Sequence, residues 1–374
     1  MIKMFHTADV HVGLKFTRGY AESLQQSLIA ERIAVVSRMA DLANQEGCQL
    51  FVVAGDLFDN LRVSKTLLRE TAEALNRFEG LVAILPGNHD YAQEADDPVW
   101  PVFEDSLGER HLILRQRKPY DLEPWDLPAV LYPGVCHSKH SKENAIGWVN
   151  EAIEGDTSGK ARIGIAHGSL SGLSPDFNGD YFPMTPAELE AVGVDVWLLG
   201  HTHIRYPNAD AGCNARIFYP ATPEPDGFRC DHPGYALVIS VEADGHVEFK
   251  SVTTGKFHFH EIVESDVESA SDLDRVERRI SEFRGGQHLV KLKLQGRLDG
   301  ESFTELAAFI ERLEDCVEHL EVDQDELLKA VRQADIDAEF TEGSFPHRLL
   351  SELARSDEDQ FALQLAYDLV KEAK

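Results

Sequence analysis

The sequence predicts an α/β protein: a sandwich of two sheets between helices, the second sheet more antiparallel, followed by a small C-terminal α+β cap. Three observations predict it. Short apolar runs alternate with amphipathic helical stretches over the first two thirds of the chain, a hairpin pattern closes that region, and a second αβαβ order begins after residue 271. At 374 residues the chain exceeds the size, about 250–300 residues, at which one core stops growing. The expected domains are 1–262 and 271–374, divided by the serine- and acid-rich stretch from Val263 to Ser271.

In chain order, Ile2 to His6, Leu50 to Ala54, Val82 to Leu85, Arg162 to Ala166 and Val196 to Leu199 are short, apolar and rich in β-branched or aromatic residues, the pattern of buried strands. Ser23 to Glu46 carries Leu24, Leu28, Val35, Met39 and Leu42 on one stripe, with Gly47 to stop the helix. Ser64 opens a second helix that runs to Phe78, and Thr185-Pro-Ala-Glu188 forms a capping box with proline at the first helical position. Tyr235 to Val241 and Val247 to Thr253 form a hairpin turned at Ala243-Asp-Gly245. In the cap, helices are expected near Leu273 to Phe283 and Phe303 to Leu313, strands near Leu289 to Leu294 and Val317 to Val322, and two last helices around Pro346 to Ala354 and Glu358 to Glu372.

Metal-binding side chains follow five of the predicted strands: Asp9 and His11; Asp56; Asn88, His89 and Asp90; His167; His201 and His203. Strand ends gather distant sequence into one crevice of an α/β sheet. In D-x-H, two residues two apart on an extended segment can face one ion. In G-D, Gly55 lets the chain turn sharply and presents Asp56, whose two oxygens can bridge two ions. In G-N-H-D, Asn88 offers a neutral amide oxygen, His89 is left to face the reacting group, and Asp90 can fix its tautomer. No thiolate joins the set, Gly168-Ser169 lacks the G-x-S-x-G frame, and nothing marks a covalent nucleophile.

The motif series D-x-H, G-D, G-N-H-D, H and G-H-x-H resembles the calcineurin-like metallophosphoesterase superfamily. The resemblance implies one ion held by Asp9, His11, Asp56 and His203, another by Asp56, Asn88, His167 and His201, and His89 as the catalytic histidine with Asp90 behind it. Manganese is the metal it implies; iron and zinc also suit oxygen and nitrogen donors. A two-metal site activates a bridging water for in-line attack on phosphorus while a group such as His89 assists the leaving oxygen. The segments Phe5 to Gly13, Ala54 to Asp59 and Leu85 to Asp90, with Tyr219-Pro-Ala-Thr-Pro-Glu-Pro225 and Gly234 to Val238, look like bacterial SbcD-type DNA repair exonucleases. That likeness implies DNA as substrate, an SbcC-type coiled-coil ATPase as partner and a homodimer. Ala221-Thr222 departs from the usual Gly-Ser there, which is expected to reshape the rim of the cleft, and Asp59 agrees with the bacterial forms. Substrate-binding residues are not specified.

Composition bounds these expectations. The formal charge is −29, from 65 acidic and 36 basic residues, which opposes the phosphate neutralisation that drives DNA binding. Basic residues nevertheless follow several motifs: Lys15 and Arg18, Arg62, Lys65 and Arg69, Lys139 and Lys142, and Arg205. Taken singly, each is an ordinary solvated charge. Cysteines 48, 136, 213, 230 and 316 are scattered without a C-x-x-C pair, which points away from a disulfide scaffold or structural zinc and toward a reducing, cytoplasmic setting. No run approaches the roughly 18 apolar residues of a membrane span.

Other residues invite plainer readings. His6 lies within a strand and is expected in the core, His258 and His260 lack acidic context, and Trp100, Trp125, Trp148 and Trp197 are expected to pack. A face of Phe361, Leu365 and Leu369 packs on its own domain or docks the ATPase. Two alternatives to the DNA nuclease stand beside it: a phosphodiesterase or phosphatase for nucleotides or other small phosphoesters, which the acidic surface suits better, and a scaffold whose metals only order it.

Overall fold

Strands such as Leu50–Ala54 (LFVVA) and Leu81–Leu85 (LVAIL) have no polar face to turn to water, so they must be covered on both sides, and every one of their residues is buried. The computed structural model describes residues 1–17, 19–93, 97–208, 215–355 and 360–372; Arg18, Cys213 and the side chain of Phe361, named above, lie outside the described residues. The chain divides into two units, Met1–His258 and Phe259–Lys374. The elements of the first are β1 (Ile2–Thr7), α1 (Glu22–Gln45), β2 (Leu50–Ala54), α2 (Lys65–Leu75), β3 (Leu81–Leu85), α3 (Trp100–Glu104), β4 (His111–Ile113), β5 (Tyr120–Asp121), β6 (Ala129–Gly134), α4 (Val149–Glu154), β7 (Ala161–His167), α5 (Pro186–Ala191), β8 (Val196–Gly200), β9 (Arg205–Tyr206), β10 (Ile217–Pro220), β11 (Tyr235–Val241) and β12 (Val247–Thr253).

Two six-stranded sheets result, ordered β12-β11-β1-β2-β3-β4 and β5-β6-β7-β8-β10-β9. Alternation along each strand sorts the layers. Met4, Leu50, Val52 and Ala83 pack with Leu131, Ile163, Ile165 and Leu198 between the sheets. On the outer face of the first sheet, Phe5, Phe51, Val53 and Ile84 meet Val35, Met39 and Leu68 of α1 and α2. On the outer face of the second, Tyr132, Trp197 and Tyr219 meet Val149 and Leu189 of α4 and α5.

One expectation is corrected: the second sheet is not the more antiparallel one. Each sheet has three parallel and two antiparallel pairings: the second is antiparallel at both edges, whereas in the first the hairpin β11–β12 supplies both antiparallel pairings by joining β1, Ile2 opposite Val241, and the β4 edge is parallel. Helix caps form as the sequence indicates: Ser64 accepts from the Leu67 N–H, and Thr185 and Glu188 complete their capping box. The four indole N–H groups all donate to backbone carbonyls, so the tryptophans pack. His6 is likewise a core residue, with Nε2 3.3 Å from the Phe218 carbonyl.

At the end of the second sheet away from the metal motifs, Asp156 accepts hydrogen bonds from Tyr132, from Arg162 and from the Ser158 N–H. Burial works against the charge, yet the bonds from Ser158, Arg162 and Tyr132 hold this carboxyl below the ordinary carboxylate range. Its folded pKa lies below the unfolded value of about 3.9, so the stability it contributes is present above that pH and is lost as pH falls through the folded pKa. Asp156→Asn is therefore expected to lower the melting temperature at pH 7, by a loss of about 1–3 kcal/mol, with the gap to the parent narrowing toward pH 3 in thermal scans.

The second unit carries β13 (His258–Glu264), α6 (Ala270–Ser281), β14 (His288–Leu298), α7 (Gly300–Glu314), β15 (His319–Lys329), α8 (Gln333–Glu339), α9 (Phe345–Leu353) and α10 (Gln360–Glu372). Its sheet is ordered β13-β14-β15 and its core is built on Val276, Leu292, Leu294, Phe309 and Leu313. The division at His258 falls ahead of the serine- and acid-rich stretch because β13 is a strand of this sheet. In the last three helices Ile336, Phe340, Leu350 and Leu363 form a small cluster, while Leu365 and Leu369 are exposed. Among the described residues no helix is long and apolar enough to cross a membrane.

Candidate metal centre

The motif loops are laced together by backbone before any side chain is considered. Asp9 N–H donates to Gly55 O, His11 N–H to Asp56 O and Val12 N–H to Leu57 O, at 2.9–3.1 Å, so the loop after β1 runs beside the loop after β2. Asp9, His11 and Asp56 have φ near +55°, and His201 has φ 100°. Left-handed backbone costs non-glycine residues about 1–2 kcal/mol each, and strain of this kind concentrates at functional sites. The D-x-H segment is thus not extended, as the spacing suggested. Both side chains still turn to one place because both residues adopt the same unusual conformation.

Asp9, His11 and His203 bring ligand atoms within 4.8 Å of one another, and so do Asp9, Asp56 and His167. His203 Nε2 lies 3.4 Å from His11 Nε2 and 3.7 Å from Asp9 Oδ1. Asp56 Oδ2 is 3.2 Å from His167 Nε2 and 3.9 Å from His11 Nε2, which places this carboxylate between the two groups. On the far side, Asn88 Oδ1 is 3.0 Å from His167 Nε2 and 3.1 Å from His201 Nδ1. All seven predicted ligand positions therefore converge. His167 donates Nδ1–H to the Ala54 carbonyl at 2.8 Å, which leaves Nε2 as the free donor atom toward the site.

His89 also reaches the centre, its ring edge-on to His11 at 4.9 Å. Its backbone N–H donates to Asp56 Oδ1 at 2.8 Å, and its Nδ1–H donates to the Asp59 carbonyl at 2.8 Å. Asp90 does not orient it, contrary to the expectation from G-N-H-D. The Asp90 carboxylate is buried and accepts from the N–H groups of Phe58 and Gly87, so it braces the two loops while the Asp59 carbonyl selects the His89 tautomer. The physical reason is direction: the residue after His89 points into the protein, where Trp100 also holds its carbonyl.

Electrostatics test whether cations belong here. Asp9 and Asp56 are buried, and among the described residues no lysine or arginine lies within ion-pair distance of either; their opposite charges come only from histidines. Buried carboxylates without a cation are costly. Burial pushes Asp9 up; for Asp56 burial acts the same way, but His167 and then His11 and His89 hold it well below its ordinary value. Burial would lower His167, yet Asp56 raises it to about 9, so a proton takes up the role of counter-charge. Burial brings His11 and His201 down to about 3, which keeps them in the neutral form that ligates metal. Mixed oxygen and nitrogen donors around two buried carboxylates fit divalent cations.

Several residues were not legible in the sequence. Asp226 Oδ2 is 3.4 Å from His203 Nδ1 and accepts from Cys230, so it orients the predicted ligand from behind. It sits in a turn-like Pro-Glu-Pro-Asp-Gly tract with no ligand spacing to flag it. Tyr181 packs its ring against His201 at 4.9 Å. Arg32 of α1 is fully buried and donates to the carbonyls of Val10, Glu224 and Pro225, tying the D-x-H loop to the tract that bears Asp226. Ala221 and Thr222 do not shape a rim: both are buried, and Thr222 donates to the Asp9 carbonyl at 2.9 Å. Of the basic residues near the motifs, Arg205 turns away, bonded to Ser251 and stacked over Tyr235.

Comparison with known proteins agrees with this geometry. The family profile described as calcineurin-like phosphoesterase matches residues 2–205, which contain all five motifs. The uncharacterized metallophosphoesterase YhaO of Bacillus subtilis (strain 168) is 26% identical over 312 residues, 79% of this chain and 72% of that protein, so the likeness extends past the motif region. Among solved structures, TT1561 of Thermus thermophilus matches with a TM-score of 0.41 and 9% identity, over 68% of this chain and 99% of the other, too loose to bear on the site.

Proposed function

The chain belongs to the calcineurin-like phosphoesterases, a family of metal-dependent phosphoester hydrolases, and from that premise we propose that it is a two-metal phosphodiesterase acting on DNA, as an exonuclease or endonuclease of the SbcD type. The observation that carries the phosphodiesterase reading is Asp56, a buried carboxylate set between the His11 and His167 groups with no lysine or arginine within ion-pair distance among the described residues. In this reading Asp9, His11, Asp56 and His203 would hold one ion and Asp56, Asn88, His167 and His201 the other, with manganese as the preferred metal. Bound divalent ions supply Lewis acidity toward phosphate oxygens and water.

The protein's own residues do the remainder. His89, fixed by the Asp59 carbonyl through Nδ1–H, presents Nε2 to the departing oxygen and gives it a proton. Asp226 keeps the His203 ring in place, and the Asp90 brace keeps the Asp56 and Asn88 loops in register. His89→Gln is expected to lower kcat roughly 100- to 10,000-fold while metal binding, followed by calorimetry, stays near the parent value. An ester with a much better leaving group should lose less, because it needs less protonation.

An SbcC-type ATPase partner and a homodimer are part of the same proposal; support comes from the motif resemblance and from the exposed Leu365 and Leu369 of α10. The DNA reading is tested with end-labelled linear duplex, single-stranded DNA and a chromogenic phosphodiester, each with manganese. Degradation of DNA that requires the intact centre supports it. Turnover of the small ester alone, repeated with any ATPase encoded beside it and ATP, replaces DNA with a small phosphoester as substrate.

A further inference from the structure

We propose that the cavity beside His89 is an anion subsite, in which Lys15, Arg62 and Lys139 seat a second phosphate carried by the leaving group of the substrate. The inference rests on the phosphodiesterase reading above and narrows it to diesters flanked by a further phosphate, as in an oligonucleotide.

The cavity has a volume of about 850 Å³ and is lined by His89, Tyr91, Asp59 and the three cations, among others. That is ample for a nucleotide unit and far more than a single phosphate needs. The group that His89 protonates must leave into space that His89 borders, so this is the leaving-group side. The three cations come from three separate loops, after β1, β2 and β6. In a chain of net charge −29, cations such as Arg38, Lys160 and Arg162 sit on carboxylates. Lys15, Arg62 and Lys139 have no ion-pair partner among the described residues, and they share one cavity.

The cavity is built rather than accidental. A β-bridge between Val12 and Phe58 and the Asp59 N–H to Val12 O bond at 3.0 Å join the loops that carry Lys15 and Arg62. The Arg62 N–H donates to Asn60 Oδ1 at 2.8 Å, fixing the turn that presents its side chain. Asp59 is the one acid among the described lining residues, and its carboxylate is engaged elsewhere, 3.7 Å from His11 Nδ1 and accepting from Asn60 at 3.0 Å. Tyr91 packs along Cys136, Ala145 and Phe182, a held aromatic ring at the wall of the cavity on which a base can stack.

The experiment uses the full chain with manganese and four substrates: thymidylyl-thymidine, the same dinucleotide with a terminal phosphate at the 5′ or at the 3′ end, and bis-p-nitrophenyl phosphate. One phosphorylated dinucleotide is expected to exceed the plain one in kcat/KM by roughly 10- to 100-fold, a preference that falls as salt is raised. Within Lys15→Gln, Arg62→Gln and Lys139→Gln, singly and combined, that ratio should drop stepwise toward one. A parent ratio of one, a ratio that survives the triple substitution, or a parallel loss on both dinucleotides overturns the subsite. Because the ratio is read within each variant, and each single substitution is at an exposed position, a folding defect in the triple variant does not hide the answer. Absence of any hydrolysis that depends on Asp56, bis-p-nitrophenyl phosphate included, overturns the phosphodiesterase reading itself.

Discussion

Asp56→Asn is expected to leave a folded protein whose metal-dependent phosphodiester hydrolysis is down by roughly 1,000-fold or more in kcat/KM, a loss of about 4 kcal/mol or more in transition-state stabilisation. Asparagine keeps the shape and can still accept the His89 N–H at Oδ1, so the loop geometry has no reason to collapse. What it removes is the charge on a side chain placed between His11 and His167, with Oδ2 lying near both. Calorimetry should show weakened metal binding with fewer ions held, and the melting temperature of the metal-free variant should stay close to that of the metal-free parent. Metal-induced stabilisation, conversely, should largely vanish, since an ion that binds poorly adds little to the folded state. Retention of activity within tenfold of the parent would place the chemistry elsewhere.

Gly55→Ala is the second large effect, and it acts through backbone. Gly55 has φ +94° at the turn out of β2, and a Cβ there would lie 2.0 Å from His167 Nδ1 and 2.4 Å from Cγ of the same ring. The ring cannot simply move aside, because Nδ1 is bonded to the Ala54 carbonyl and Nε2 is aimed at Asp56 and Asn88. The left-handed backbone costs about 1–2 kcal/mol with a side chain present, and forcing an extra carbon into packed surroundings adds about 1–3 kcal/mol. Together these predict a melting temperature lower by roughly 5–15 °C for a unit of this size, with loss of the ion that His167 helps to hold. Thermal scans with and without manganese would check both parts, and an alanine variant that binds metal like the parent would contradict the argument.

The sequence shows the fold well where hydrophobic period and local turn chemistry decide it. The strands that carry the motifs, the long helix from Glu22 to Gln45, the Thr185 capping box and the β11–β12 hairpin all follow from short-range patterns. It was less informative about which sheet the hairpin joins, since that depends on pairing Ile2 with Val241 across more than two hundred residues. β13, just ahead of the acidic, serine-bearing stretch, went unread because its place is set by a neighbour, β14, and not by its own alternation.

At the centre the same division holds. Residue type and spacing alone mark the seven candidate ligands and His89, because hard-oxygen and imidazole donors after buried strands are uncommon in such number. The tertiary structure alone decided what stands behind them: the Asp59 carbonyl on His89, Asp226 on His203, Asp90 as a brace between loops, and Arg32 joining loops from opposite ends of the unit's sequence. It alone also brought Lys15, Arg62 and Lys139 from three loops to one cavity. Those partners act through direction and distance between segments far apart in the chain, and a one-dimensional pattern records residue types while leaving such vectors unspecified.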